Sequence, residues 1–255
     1  MTHLKTILRI TLVLSIIICA VFAIVKMQNR NCSGVQVIVD YQGENEIINE
    51  QDFIEILNQN RIKTTGEKLN QIPLDSIKNV LSKEIYVQKL NKIYFSGTKL
   101  MIDITLREIL IHVFTKNGNQ FFVDNEGLML PFSTKIKENL IIVNGNFEIN
   151  YTLKGDVKKN KSILNSIYQI ALALHKDPFY SENFKQIFVN ENNIIELVPV
   201  DGALTILFGD ETDVDQKLSK LKEIYNSVLP YSPSKKYSLI DVRFKNRVIA
   251  KKVNI

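Results

Sequence analysis

The sequence has no tryptophan, and its two cysteines, Cys19 and Cys32, both lie near the N-terminus. No disulfide can staple the rest of the chain, so whatever folds there stands on its hydrophobic core. A body free of cysteine suits an oxidising compartment. Histidine is scarce as well. His3, His112 and His175 stand far apart and no H-E-x-x-H spacing occurs, which removes the usual zinc patterns. The phosphate-cradling patterns G-x-x-x-x-G-K and G-x-G-x-x-G are missing, and so is a G-x-S-x-G nucleophile elbow. A strong charge of one sign is also lacking. The 32 basic and 27 acidic residues leave a dispersed net charge of +5, which is not a nucleic-acid footprint.

What is present is asymmetric. Ile10 to Val25 is an uncharged apolar run of 16 residues. At about 1.5 Å per residue it spans ~24 Å, and Ile7 and Leu8, with Arg9 snorkelling to the headgroups, bring it close to a ~30 Å hydrocarbon core. The run reads as an uncleaved membrane anchor over 10–26 behind a short cytoplasmic tail at 1–9. The alternative is a signal peptide cleaved after Val21-Phe22-Ala23, although Ile24 and Val25 continue the apolar stretch past that point. Lys5 and Arg9 on one side nearly balance Lys26 and Arg30 on the other, so flanking charge does not decide orientation. Export of the body is the ordinary outcome for one N-terminal anchor. Neither cysteine has the surroundings of a lipidation site.

The remaining roughly 230 residues suffice for two small domains. Val35 to Tyr41 alternates as a strand and ends at a turn around Gly43. Asn49 before Glu50-Gln51-Asp52 is an N-cap with acids in the first turn, and Phe53, Ile54 and Leu57 form the apolar side of that helix. A second helix follows Pro73, with Leu74, Ile77 and Leu81 on one face. Val87 to Phe95 and Leu100 to Leu106, joined at Ser96-Gly97-Thr98, read as a hairpin with Leu100, Ile102, Ile104 and Leu106 on one side. The order is β-α-α-β-β.

Beyond it, Ile109 to Thr115 and Gln120 to Asp124 form another hairpin, Asn125-Glu126-Gly127 turns into Leu128 to Pro131, and Leu140 to Val143 is a further strand. Ile163, Ile167, Ile170 and Leu174 mark one helix; Val214, Leu218, Leu221, Tyr225 and Val228 mark another. Between them lie strands at Ile187–Asn190, Ile194–Val198 and Ala203–Phe208. The chain closes with strands at Tyr237–Phe244 and Val248–Ala250, where Ile240, Val242 and Phe244 alternate with Asp241 and Arg243. This part is a mainly antiparallel sheet with two helices, and the exported body as a whole is α+β.

Several residues invite a site. His112 in a strand and His175 at a helix end read as structural, because no partner for general-base work is suggested. Asp210, Glu211, Asp213 and Asp215 lack the ligand spacing of a calcium loop and read as acids at a helix start. Lys154, Lys158, Lys159 and Lys161 read as a solvated loop, with anionic lipid or cell-wall polymer as the alternative. Tyr237 and Phe244 suit core positions by spacing and interface anchors by type. No catalytic constellation, cofactor site or metal site emerges. What remains is a tethered pair of β-rich modules with sheet edges able to accept a partner's strand.

The order of elements resembles the bacterial cell-division family FtsQ/DivIB, in its Bacteroidetes-type form. Val35 to Arg107 looks like a POTRA domain. Leu106-Arg107-Glu108, followed by Phe121-Phe122-Val123-Asp124-Asn125-Glu126-Gly127, is similar to the family's passage between domains, although Ile109 stands where the family often has proline. Glu196 to Pro199, Gly202, Phe208-Gly209-Asp210 and Ile240 to Val248 resemble its second domain and closing strand. The resemblance implies a POTRA-like domain at 33–108 and an FtsQ/DivIB-like β domain at 109–255. It implies a non-enzymatic, single-pass scaffold in the inner (cytoplasmic) membrane, with its domains in the periplasm and enriched at the septum. Such a scaffold holds FtsB/DivIC-like and FtsL-like partners and helps regulate septal peptidoglycan synthesis. Carried onto matching positions, partner binding falls on Tyr237, Asp241, Arg243, Phe244, Arg247 and Val248. The alternatives are a membrane-anchored envelope hydrolase and a POTRA-type secretion or outer-membrane-assembly component.

Overall fold

A computed structural model describes residues 2–41, 48–136, 140–159, 161–202, 204–227 and 237–253. They fall into two units, one ending at Leu106 and the other beginning at Arg107.

The first unit opens with helix α1 (Thr2–Gln28), whose side chains between Ile10 and Ile24 are exposed. Among the described residues no helix is long and apolar enough to cross a membrane, so the span expected over 10–26 stands on the sequence run alone. After α1 the chain is sewn into the unit: the Cys32 N–H donates to the Glu67 carbonyl at 2.7 Å, and Asn31 forms a bridge with Lys68. Strand β1 (Gly34–Asp40) follows, then helix α2 (Glu50–Gln59), α3 (Leu74–Leu81) and the hairpin β2 (Val87–Ser96) and β3 (Lys99–Leu106). The expected turn at Gly43 lies outside the described residues. Asn49 caps α2 reciprocally: its side chain accepts from the Asp52 N–H, and the Asp52 carboxylate accepts from the Asn49 N–H. The sheet order is β1-β3-β2, with β1 parallel and β2 antiparallel to the central strand. Leu100, Ile102, Ile104 and Leu106 are buried, as are Phe53, Leu57, Ile77 and Leu81 on the two helices. The β-α-α-β-β order expected from the sequence is the order observed.

The second unit is one nine-stranded sheet with helices. Its elements are β4 (Ile109–Phe114), β5 (Gln120–Asp124), β6 (Met129–Pro131), β7 (Ile141–Gly145), α4 (Ile163–His175), α5 (Pro178–Asn183), β8 (Phe184–Val189), β9 (Ile195–Pro199), β10 (Thr205–Gly209), α6 (Val214–Ser227), β11 (Tyr237–Asp241) and β12 (Ile249–Lys252). The strand order is β12-β11-β10-β9-β8-β7-β4-β5-β6. The β10–β11, β7–β8 and β4–β7 pairs are parallel and the other neighbours antiparallel. Ile167, Ile170 and Leu174 of α4 and Leu218 and Leu221 of α6 share one core with Ile111, Val143, Ile187, Leu197, Ile206 and Ile240.

Three details depart from the sequence reading. A third helix, α5, is present; Asp177 caps it by accepting from the Phe179 N–H, and Pro178 supplies the preset first turn. The closing strand expected to reach Phe244 ends at Asp241. The loop expected at 154–161 includes a short 3-10 turn at Val157–Lys159 and buries Val157. Val228 and Ala203, expected in a helix and a strand, lie outside the described residues.

Candidate functional site

The two ends of the nine-stranded sheet are finished differently. At β6 the Met129 N–H donates to the Gly155 carbonyl at 2.7 Å, and the Met129 carbonyl accepts from the Lys154 N–H at 3.2 Å. Leu128 also bridges Asp156, and Pro131 has no N–H to offer. That margin is covered by its own chain. At the other end, β12 pairs with β11 and with no further strand among the described residues.

The direction of the β12 backbone follows from its neighbours. The Val242 N–H donates across to the Leu207 carbonyl at 3.1 Å. Alternation along the strand then turns Ile240 toward β10, and Leu239 and Asp241 toward β12. Leu239–Lys251 and Asp241–Ile249 are thus the hydrogen-bonded pairs, and the Ser238 hydroxyl reaching the Lys251 carbonyl at 3.4 Å agrees. The N–H and C=O groups of Ala250 and Lys252 therefore face outward. Both residues are exposed, as are Ile249, Lys251 and Val253. This is an unpaired strand margin with a basic, partly apolar set of side chains.

Just before β12 the chain makes a tight loop. Asp241 is 5% exposed, and its carboxylate accepts from the Arg243 N–H at 3.1 Å, from Nε at 2.9 Å and from Nη2 at 2.6 Å. Burial pushes the Asp241 carboxyl up, but its hydrogen bonds from Arg243 and that cation's charge outweigh burial and hold it below the usual carboxylate range. The stem of Arg243 lies against Gly209, whose φ of +92° and crowded Cβ position both favour glycine. The Phe244 ring is 37% exposed. It lies 4.7 Å from the Arg247 guanidinium and 5.9 Å from that of Arg243. From α6, Lys220 Nζ donates to the carbonyls of Phe244 at 2.7 Å and Val242 at 3.3 Å.

The six residues carried over from the family resemblance thus separate. Arg243, Phe244 and Arg247 meet in one exposed aromatic–guanidinium cluster. Asp241 turns inward onto Arg243. Val248 packs against the core. Tyr237 stands at the far end of β11, opposite Lys252 and half-buried. Spacing suited Phe244 to the core, but the turn at Asp241–Arg243 breaks the alternation before the ring is reached. Lys220 was not found from sequence, because its partners are backbone carbonyls beyond the next strand.

The other candidates resolve as well. The His112 ring lies tilted against Phe114 and Phe122 at 4.1 and 4.6 Å and stacked on Phe132 at 5.3 Å, its Nε2 is buried without a partner among the described residues, and burial lowers its pKa. His175 Nε2 lies 3.0 Å from Glu108 Oε1. Among the described residues no serine hydroxyl bonds either ring, and no group of His, Cys, Asp and Glu has the arrangement of a metal site. Asp210 accepts from Thr212 and from the buried Lys217, which together hold its pKa down to about 2. The lysines at 154, 158 and 159 are exposed.

No curated protein matches the sequence. Residues 30–105 match the POTRA-like domain family. Residues 109–251 match the family described as FtsQ/DivIB, C-terminal related. That second match spans more than half of the chain and covers the nine-stranded sheet as far as Lys251 of β12, and the chain belongs to the FtsQ/DivIB family.

Proposed function

We propose that this protein is a membrane-anchored, non-enzymatic scaffold of the division machinery that captures FtsB/DivIC-like and FtsL-like partners at the open margin of its second unit. The observation that carries the reading is the asymmetry of the nine-stranded sheet. One margin is covered by residues 154–156, whereas among the described residues the outward-facing backbone of Ala250 and Lys252 on β12 meets no further strand, a few residues along the chain from the exposed Phe244–Arg247 cluster. Backbone hydrogen bonds from an added strand supply affinity, and neighbouring side chains supply selection. The basic residues Lys245, Arg247, Lys251 and Lys252 suit a partner strand bearing carboxylates.

The uncharged run Ile10–Val25 supports an anchor in the cytoplasmic membrane, with the remaining domains in the periplasm at the septum. Partners held in the same bilayer meet the margin at raised effective concentration, so a short strand contact suffices. The POTRA-like domain at 33–108 contributes recruitment, and the β domain at 109–255 contributes capture. Of the sequence candidates, Arg243, Phe244, Arg247 and the edge of β12 touch the partner; Tyr237 and Val248 frame the strand pair, and Asp241 shapes the turn.

The test is co-purification of the full chain in detergent with the DivIC-type and FtsL-type proteins of the same organism. A complex that survives purification supports the scaffold reading. Its absence, or substrate turnover by the purified protein, overturns it.

A further inference from the structure

We infer that Lys220 is the positioning residue that sets the partner-binding loop, an assignment that rests on the reading of the β12 margin as the docking site. Lys220 lies on α6 between Leu218 and Leu221, both buried in the core, so its backbone is held firmly. Its Nζ reaches out of the helix to the loop between β11 and β12, donating to the Phe244 carbonyl at 2.7 Å and the Val242 carbonyl at 3.3 Å. Those two carbonyls lie just past the last β11–β12 pair, Asp241–Ile249, where the ladder no longer satisfies them. A charge-assisted hydrogen bond is about twice as strong as a neutral one, so one ammonium replaces the missing ladder at both positions.

The consequence concerns the ring. Phe244 is exposed and lies 5.9 and 4.7 Å from the guanidiniums of Arg243 and Arg247, which are themselves on the loop. Neither contact ties the loop to the helix layer. The Asp241–Arg243 pair fixes the turn internally, and the Val242 N–H ties it to β10. Among the described residues, Lys220 is the α6 side chain that hydrogen-bonds the Phe244 backbone and so ties the loop to the helix. Its charge is directed onto carbonyl oxygens and its side chain is only partly exposed, so it acts through Phe244 rather than by touching a partner.

The experiment compares Lys220→Met, Lys220→Gln, Lys220→Arg and Phe244→Ala in the full chain, with the organism's own DivIC-type protein as the binding probe. Amide hydrogen exchange over 242–248, thermal midpoint and Kd are measured for each. Lys220→Met and Lys220→Gln keep most of the stem but lose the charge-assisted bonds. Both are expected to exchange about fivefold faster over 242–248, with β4 and α4 unchanged, and to bind about tenfold more weakly. Lys220→Arg, which keeps the cation and its donors, is expected to restore both. If Phe244→Ala loses binding while neither Lys220→Met nor Lys220→Gln changes exchange or Kd, the assignment of Lys220 is overturned and the docking site stands. If weaker binding comes only with a lower thermal midpoint and faster exchange throughout the sheet, Lys220 is merely structural and the assignment also fails. If Phe244→Ala binds normally, the docking site itself is wrong.

Discussion

Arg243 Nη2 lies 2.6 Å from Asp241 Oδ2, and the Asp241 carboxylate also accepts from the Nε and the backbone N–H of the same arginine. The pair converts the end of β11 into a turn and so aims the following residues at solvent. The Asp241 side chain is 7% exposed and that of Arg243 is 33% exposed, so the two do different jobs at the same place. Asp241 is a strut. Arg243 is a strut whose side chain stays one-third exposed.

Asp241→Asn keeps the shape but removes the charge that Arg243 needs. The expected cost is about 2 kcal/mol of stability, the scale of a lost hydrogen bond to an ionised group. A urea titration of the full chain in detergent measures it. Because the folded-state pKa of Asp241 is depressed, its stabilisation is present above the ordinary carboxylate value and is lost as pH falls through the lower folded value. The variant is expected to lose that part of the acid sensitivity.

Phe244→Asp places a carboxylate near the Arg243 and Arg247 guanidiniums, whose charge accommodates it. The protein is expected to remain folded, with a thermal midpoint close to that of the parent, and to lose retention of the proposed DivIC-type partner. Normal retention by the folded variant removes the ring from the docking site.

His112 gives the second unit a separate pH dependence. Its ring is enclosed by three phenylalanines and burial lowers its pKa from 6.5. The unfolded chain therefore takes up a proton before the folded one does. Stability is full above about pH 6.5 and falls as the solution is acidified toward the folded value. His112→Phe is expected to flatten this slope between pH 7.5 and 5.5, roughly one unit either side of the ordinary value. Parallel urea midpoints at the two pH values measure it, and an unchanged slope removes His112 as the source.

The local features of the fold were legible because local physics determines them. The Asn49 N-cap with its acidic first turn, the α4 stripe from Ile163 to Leu174 and the alternation of Leu100 to Leu106 each lie within one element. Helix α5 was also open to reading, since Asp177-Pro178 is a helix-start signal, but its six residues show too little apolar periodicity to attract notice. Strand order was not legible. Nothing in the composition of β1 says that it joins β3 in parallel, or that β10 runs parallel to β11.

The proposed docking surface was half legible. Its address came from a family resemblance over Ile240 to Val248, while alternation pointed Phe244 inward. That pattern continues only while the strand does, and the Asp241–Arg243 pair ends it. The partners of Lys220 are more than twenty residues away in sequence, at backbone atoms that carry no side-chain signature.

The most direct measurement is a pair of proline substitutions on β12 in the full chain, each assayed for folding and for binding to the DivIC-type protein. The Ala250 N–H faces away from β11, whereas the Lys251 N–H faces Leu239 across the strand pair. Proline at an outward position removes a donor that only an added strand would use. Ala250→Pro is expected to leave the thermal midpoint nearly unchanged and weaken binding by about tenfold, equivalent to ~1.4 kcal/mol, while Lys251→Pro loosens the margin itself. Undiminished binding by folded Ala250→Pro protein would contradict capture by strand addition.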